Sequence, residues 1–235
     1  MLHVTALSRE PAGRLRTLRI GPAMPKSETD DFALQLARAR SDVILTTGAN
    51  LRAEPGLETW APHVLAQSGL DRWRSERLGR REPPLLAVLT SGRSLDLDHR
   101  ALSGRDRVLV LTTSEGAHLL APHASAHGID VIVREEVGVR DAIACLRDER
   151  GLANVVVEAG PSTSRWLYHD PCLVDELMLT LLDGAAAPGQ LEAAPFETLA
   201  ELRALYDEAA PPCVVRESGG RWSFQRFLRR GAQLQ

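Results

Sequence analysis

Apolar residues fall in short unbroken runs along this chain, and the runs alternate with segments of helical period. Val155 to Val157 is too apolar to face water on either side, which predicts a strand buried on both faces. Val43 to Leu45 reads as a buried strand, Leu85 to Leu89 and Val108 to Leu111 as further apolar strands, and Ile129 to Val133 as a further short one. Leu15, Leu18 and Ile20, set among arginines, predict a first strand, with Met1 to Gly13 as an irregular lead-in. Helices are expected from a cap at Thr29 or Asp30 through Ala39, over Trp60 to Leu78 with a break at Gly69, from Glu115 towards His127, and over Val137 to Arg147. Ala49 to Leu57 reads as a polar, turn-rich segment. A strand at Leu177 to Leu182 is followed by a Gly/Ala/Pro-rich loop and a short helical piece near Leu199 to Tyr206. Val214 to Glu217 and Trp222 to Leu228 predict a closing hairpin. Strands alternating with helices predict an α/β fold with a largely parallel sheet and antiparallel edges at its end, in one domain.

Composition narrows the function. The 28 basic and 31 acidic residues leave a net charge of −3, so no bulk attraction draws the chain to nucleic acid or to an anionic membrane. No segment is apolar and long enough to span a bilayer, and the first residues do not read as a signal peptide. Cys145, Cys172 and Cys213 form neither a zinc spacing nor a disulfide framework, which fits a reduced, cytoplasmic setting.

The chemistry gathers where Val155 to Val157 runs into Glu158-Ala159-Gly160-Pro161. Glycine permits a sharp turn there, and proline suits the first position of a helix because its missing N–H is not needed. Ser162, Thr163 and Ser164 then supply hydroxyls and backbone N–H groups at a helix start, a ready anion site for nucleotide phosphates. A tight, ligand-free βα turn is the equally weighted alternative. Thr46-Thr47, Ser91 and Thr112 end other strands, and in open α/β sheets ligands lie beyond those carboxyl ends.

Two patches carry a resemblance. Arg38-Ala-Arg-Ser-Asp42-Val-Ile-Leu-Thr-Thr-Gly48-Ala-Asn-Leu-Arg52-Ala-Glu54-Pro55 resembles the R-x-x-x-D-A-I-L-x-G-x-x-T-x-x-x-D-x-P segment of the RibD C-terminal reductase family. Val157-Glu158-Ala-Gly160-Pro161-Ser162, then Leu173-Val-Asp175-Glu176-Leu177, resemble its V-E-G-G-P-T and L-V-D-E-L. The resemblance implies a dihydrofolate-reductase-like fold, a three-layer α/β/α arrangement with a mostly parallel twisted sheet and an antiparallel C-terminal hairpin. It implies an NADPH-dependent reductase, commonly a homodimer, that converts a ribosylamino-pyrimidine phosphate of riboflavin synthesis to its ribitylamino form. Gly160, Pro161, Ser162, Thr163, Ser164 and Arg165 would then hold the cofactor's phosphates, with Ser91, Asn50, Glu54 and Ala23 also on the cofactor. Arg38 would face the substrate phosphate, Leu57 the substrate, and Glu158 a substrate hydroxyl or ring group as the catalytic carboxylate.

The chain departs from that pattern at four places. Ala23 to Asp30 replaces a longer loop, Asn50 stands for a threonine and Glu54 for an aspartate, and the arginine expected shortly beyond Leu57 is missing. No zinc deaminase motif is present. Cofactor-side features survive these changes better than substrate-side ones, so a non-catalytic nucleotide-binding member, or a reductase of another substrate, stands as the alternative. Arg38 has an alternative as a solvated helix arginine. His123 and His127 have metal-compatible spacing but no acidic third ligand beside them, and surface histidines are the expectation, with no metal.

Overall fold

A computed structural model of the chain describes residues 1–19, 25–103, 107–183, 191–217 and 220–231, with backbone alone at residues 62 and 63. In chain order the strands are β1 (Leu2–Arg9), β2 (Leu15–Leu18), β3 (Val43–Thr47), β4 (Leu85–Leu89), β5 (Val108–Thr112), β6 (Ile129–Val133), β7 (Val155–Glu158), β8 (Glu176–Asp183), β9 (Leu191–Ala193), β10 (Tyr206–Glu208), β11 (Cys213–Glu217) and β12 (Gly220–Arg229). The helices are α1 (Glu28–Arg40), α2 (Gly48–Ala53), α3 (Pro62–Ser68), α4 (Leu70–Leu78), α5 (Ser114–Ala124), α6 (Val139–Ala144), α7 (Pro161–Ser164) and α8 (Leu199–Leu205). The chain divides into two compact units, one of Arg38–Ala159 and one of Met1–Ala37 with Gly160–Gln235.

The Arg38–Ala159 unit holds five parallel strands in the order β7-β3-β4-β5-β6, with Val43 opposite both Leu85 and Val155. Every residue of β3 and β5 is buried, as are Val155 to Val157, which is why these strands read as unbroken apolar runs. β6 lies at the edge of this order, and only Ile129 of it is fully buried. Arg74 of α4, 4% exposed, donates to the carbonyls of Ala39 (2.9 Å), Ser41 (2.6 Å) and Glu82 (2.9 and 3.0 Å) and lies 5.6 Å from the Trp60 ring. Burial lowers its pKa to about 10, so it stays a cation, and it gathers carbonyls at the C-terminal end of α1 and one in the loop before β4.

In the other unit, β8 runs parallel to β1 and antiparallel to β12, β12 pairs antiparallel with β10 and β11, and β2 pairs antiparallel with β1 and β9. The expected closing hairpin is β11 and β12, whose connecting residues 218 and 219 lie outside the described ones. Three expectations change. Met1 to Gly13 is not an irregular lead-in, since β1 pairs residue for residue with β8, Leu2 opposite Glu176. That partner is far away in sequence, and no local pattern announces it. The segment after β3 is the short helix α2, begun by Thr47, whose Oγ1 accepts from the Asn50 N–H at 3.1 Å. Helix α1 is capped by Ser27, not Thr29 or Asp30: Ser27 Oγ accepts from the Asp30 N–H at 3.0 Å. No helix among the described residues is long and apolar enough to cross a membrane.

His3 on β1 is fully buried, hydrogen-bonded through Nδ1 to the Tyr168 hydroxyl at 2.6 Å, and burial lowers its pKa from 6.5 to about 3. The unfolded chain therefore takes up a proton that the folded chain refuses between these values. Stability from this residue is full above pH 6.5 and drains away as pH falls towards 3. Denaturant unfolding at about pH 7 and about pH 4.5 is expected to show His3→Gln losing about 2–3 kcal/mol less than wild type over that interval. Equal losses in the two proteins would refute the assignment.

Candidate functional site

The carboxyl ends of the five parallel strands are assembled by hydroxyls and glycines. Thr90 Oγ1 accepts from the Gly92 N–H (3.1 Å) and Thr113 Oγ1 from the Gly116 N–H (3.2 Å), as Thr47 does from Asn50. A Cβ on Gly116 would lie 2.0 Å from Thr112 Oγ1 and 2.4 Å from the Ser91 carbonyl oxygen, so no other residue lets α5 start so close to the turn after β4. Gly92, at φ +81°, takes a left-handed conformation in that turn, its Cα face against Gly116. These hydroxyls are taken up by the fold's own N–H groups. Ser91 stays exposed, and the buried hydroxyls of Thr46 and Thr112 have no partner among the described residues.

Arg38, Glu158 and Asn50 meet at the end of β7. Arg38, from the last turn of α1, is 2% exposed and is no solvated helix arginine. Its Nε and Nη2 donate to the two carboxylate oxygens of Glu158, both at 2.7 Å, and Nη1 donates to the Glu58 carbonyl at 3.4 Å. Asn50 Nδ2 donates to the Glu158 main-chain carbonyl at 2.9 Å. The last residue of β7 is thus gripped by its side chain from α1 and by its backbone from α2. The guanidinium fork that the family resemblance turns towards a substrate phosphate is closed here on Glu158. Glu54 and Leu57, both half-buried, follow in one bonded turn, the Leu57 N–H donating to the Glu54 carbonyl at 2.9 Å.

In the other unit, Gly160 starts α7, a single turn that tightens into a 3₁₀ turn at Arg165–Tyr168. The N–H groups of Thr163 and Ser164 both donate to the Gly160 carbonyl, at 3.0 and 2.9 Å, so fewer are free for an anion than the sequence pattern suggests. Ser164 is buried, Ser162 and Arg165 are exposed, and the Arg165 guanidinium lies 5.1 Å from the Trp166 ring. Ala23 lies outside the described residues. His118, His123 and His127 are exposed, and among the described residues no group of three or more His, Cys, Asp or Glu is placed to hold a metal.

The RibD C-terminal domain model matches residues 13–186, a span that takes in Arg38, Asn50 and Glu158. The chain belongs to the RibD C-terminal domain family. No curated protein sequence matches it. Among solved structures, it resembles a pyrimidine reductase-like protein from Corynebacterium diphtheriae, 22% identical with a TM-score of 0.68, over 98% of this chain and 92% of that one. Acinetobacter baumannii RibD is 15% identical with a TM-score of 0.66, over 97% of this chain and 57% of that one. The riboflavin biosynthesis reductase Rib7 of Saccharomyces cerevisiae is 15% identical with a TM-score of 0.55, over 97% and 89%. At these identities the likeness is one of fold, and the fold is the expected dihydrofolate-reductase-like α/β class with a mostly parallel sheet and an antiparallel C-terminal hairpin.

In this RibD C-terminal domain a buried ion pair is costly to break from one side, because the remaining charge has no partner and little water. Glu158→Gln is expected to destabilise the protein by about 3–5 kcal/mol in denaturant unfolding. The double variant Arg38→Met with Glu158→Leu should recover most of that loss. A Glu158→Gln cost near zero would show that the pair does not hold β7 to α1.

Proposed function

We propose that this protein is an NADPH-dependent reductase of a pyrimidine nucleotide-like substrate, the ribosylamino-pyrimidine phosphate of riboflavin synthesis being the first candidate. The observation that carries the reading is a carboxylate held by a buried arginine fork at the end of β7, in a chain of the RibD C-terminal domain family. The exposed residues fit a polyanionic dinucleotide. Ser91 and Ser162 offer hydroxyls and Arg165 a guanidinium, while the half-buried Glu54 is a carboxylate suited to ribose hydroxyls. Ser91, Asn50, Glu54, Gly160 to Arg165 and Ala23 would hold the cofactor, which supplies a hydride when bound.

The chain's own contribution is positioning. Arg38 occupies one lone-pair direction on each Glu158 oxygen and fixes the plane of the carboxylate, which leaves Glu158 an oriented acceptor for a substrate hydroxyl or ring N–H. Asn50 fixes the height of the same residue through its main chain. Leu57 would give the substrate an apolar contact. Arg38 acts through Glu158, which makes it a positioning residue in this reading. A homodimer in a reducing, cytoplasmic setting belongs to the same proposal, and Cys145, Cys172 and Cys213 are all free thiols.

NADPH at about a hundred times its Kd should stabilise the folded protein by about 2.7 kcal/mol, visible as a melting shift of several degrees. The protein should then oxidise NADPH when given the ribosylamino-pyrimidine phosphate. Binding without turnover of that compound would point to another substrate, and no binding of NADPH or NADH would favour the non-catalytic alternative. Gly160→Val should weaken NADPH more than it lowers the melting temperature.

A further inference from the structure

His99 lies in the segment between β4 and β5, outside every motif that the sequence singles out, and it is 6% exposed. Its Nδ1 accepts the Ala101 N–H at 3.1 Å, which puts the ring proton of the neutral imidazole on Nε2. Nε2 lies 3.0 Å from the Leu51 carbonyl oxygen and 3.0 Å from the Glu54 carbonyl oxygen, so one N–H is shared between the two. Leu51 belongs to α2 and Glu54 is its C-terminal cap, where the helix runs out of donors for its own carbonyls. The imidazole supplies a donor to the Leu51 carbonyl and adds a second to the Glu54 carbonyl, which also accepts from the Leu57 N–H.

The other side of this link is firm. The His99 carbonyl accepts from the Leu102 N–H (2.8 Å), the Ser103 N–H (3.1 Å) and the Ser103 hydroxyl (3.0 Å), while Ala101 and Leu102 are 1% and 3% exposed. A second tie runs from Arg100 Nη2 to Glu58 Oε2 at 3.1 Å, but the arginine is largely exposed and such pairs contribute little. Of these two ties between residues 96–103 and the segment that carries Glu54 and Leu57, the imidazole is the one shielded from water.

We infer that His99 is a positioning residue for the candidate site: it fixes residues 51–57, and through them the Glu54 and Leu57 assigned to cofactor and substrate. The inference rests on the reductase reading only for the role of those two side chains. Alanine removes the donor, whereas glutamine keeps an N–H close to where Nε2 lies. Hydrogen exchange without ligand is expected to show residues 51–57 exchanging about tenfold faster in His99→Ala than in wild type, relative to residues 43–47 of β3. With NADPH, His99→Ala should raise Kd and KM about tenfold, with kcat changed less than about twofold, and His99→Gln should recover most of both losses.

Unchanged relative exchange in His99→Ala overturns the inference, as does equal loss in the alanine and glutamine variants. A fall in kcat at constant KM also overturns it, because it places His99 in the chemistry. A wild-type protein that binds no NADPH sinks the reductase reading instead, and the ligand-free exchange comparison still decides whether His99 holds the segment.

Discussion

The bidentate pair between Arg38 and Glu158 is the constraint on which the candidate site depends. Taking two charges out of water is costly, and the attraction offsets that cost only when geometry is good and remaining hydrogen-bonding groups are satisfied. Both conditions hold. The two short bonds are matched, and a further guanidinium nitrogen reaches the Glu58 carbonyl. A lysine could not reproduce this fork, since its charge is a point and its donors are not coplanar. The pair also connects levels of structure, because one partner closes α1 and the other ends β7.

Arg74 solves the same problem differently. It is equally buried, yet the bonds described here run to carbonyl oxygens, at the C-terminal end of α1 and before β4. Carbonyl dipoles at helix ends carry partial negative charge, so a cation among them is favoured without a formal anion. The two arginines bracket one stretch of chain, residues 38–41, and so fix the entry to β3. That leaves the strand's other end, Thr46-Thr47, to be shaped by α2.

The hydroxyls at the strand ends divide into two kinds. Thr47, Thr90 and Thr113 accept from backbone N–H groups two or three residues ahead and shape the loops. Ser91 remains exposed, Thr46 and Thr112 are buried with hydroxyls that have no partner among the described residues, and Thr112 meets the Ser91 carbonyl across Gly116. A sequence shows the same residue types in both roles. Only the direction of each side chain, which follows from the turn it sits in, separates a cap from a ligand donor.

The sequence by itself determined the buried parallel strands β3, β4, β5 and β7, because a strand covered on both faces is filled mostly by apolar side chains and its run is visible without context. It also determined the family patches around Arg38 and Glu158, and the glycine and proline that open α7. The tertiary structure decided the rest. β1 exists because β8 offers it a parallel edge, and α2 because Thr47 caps it. Arg38 became the partner of Glu158 across 120 residues, and His99 the support of Leu51 and Glu54 across more than forty. Hydrophobic burial is a property of each residue and its neighbours, so it is written locally. Hydrogen bonds and ion pairs need a partner at a fixed distance and angle, and that geometry exists only once the chain has closed on itself.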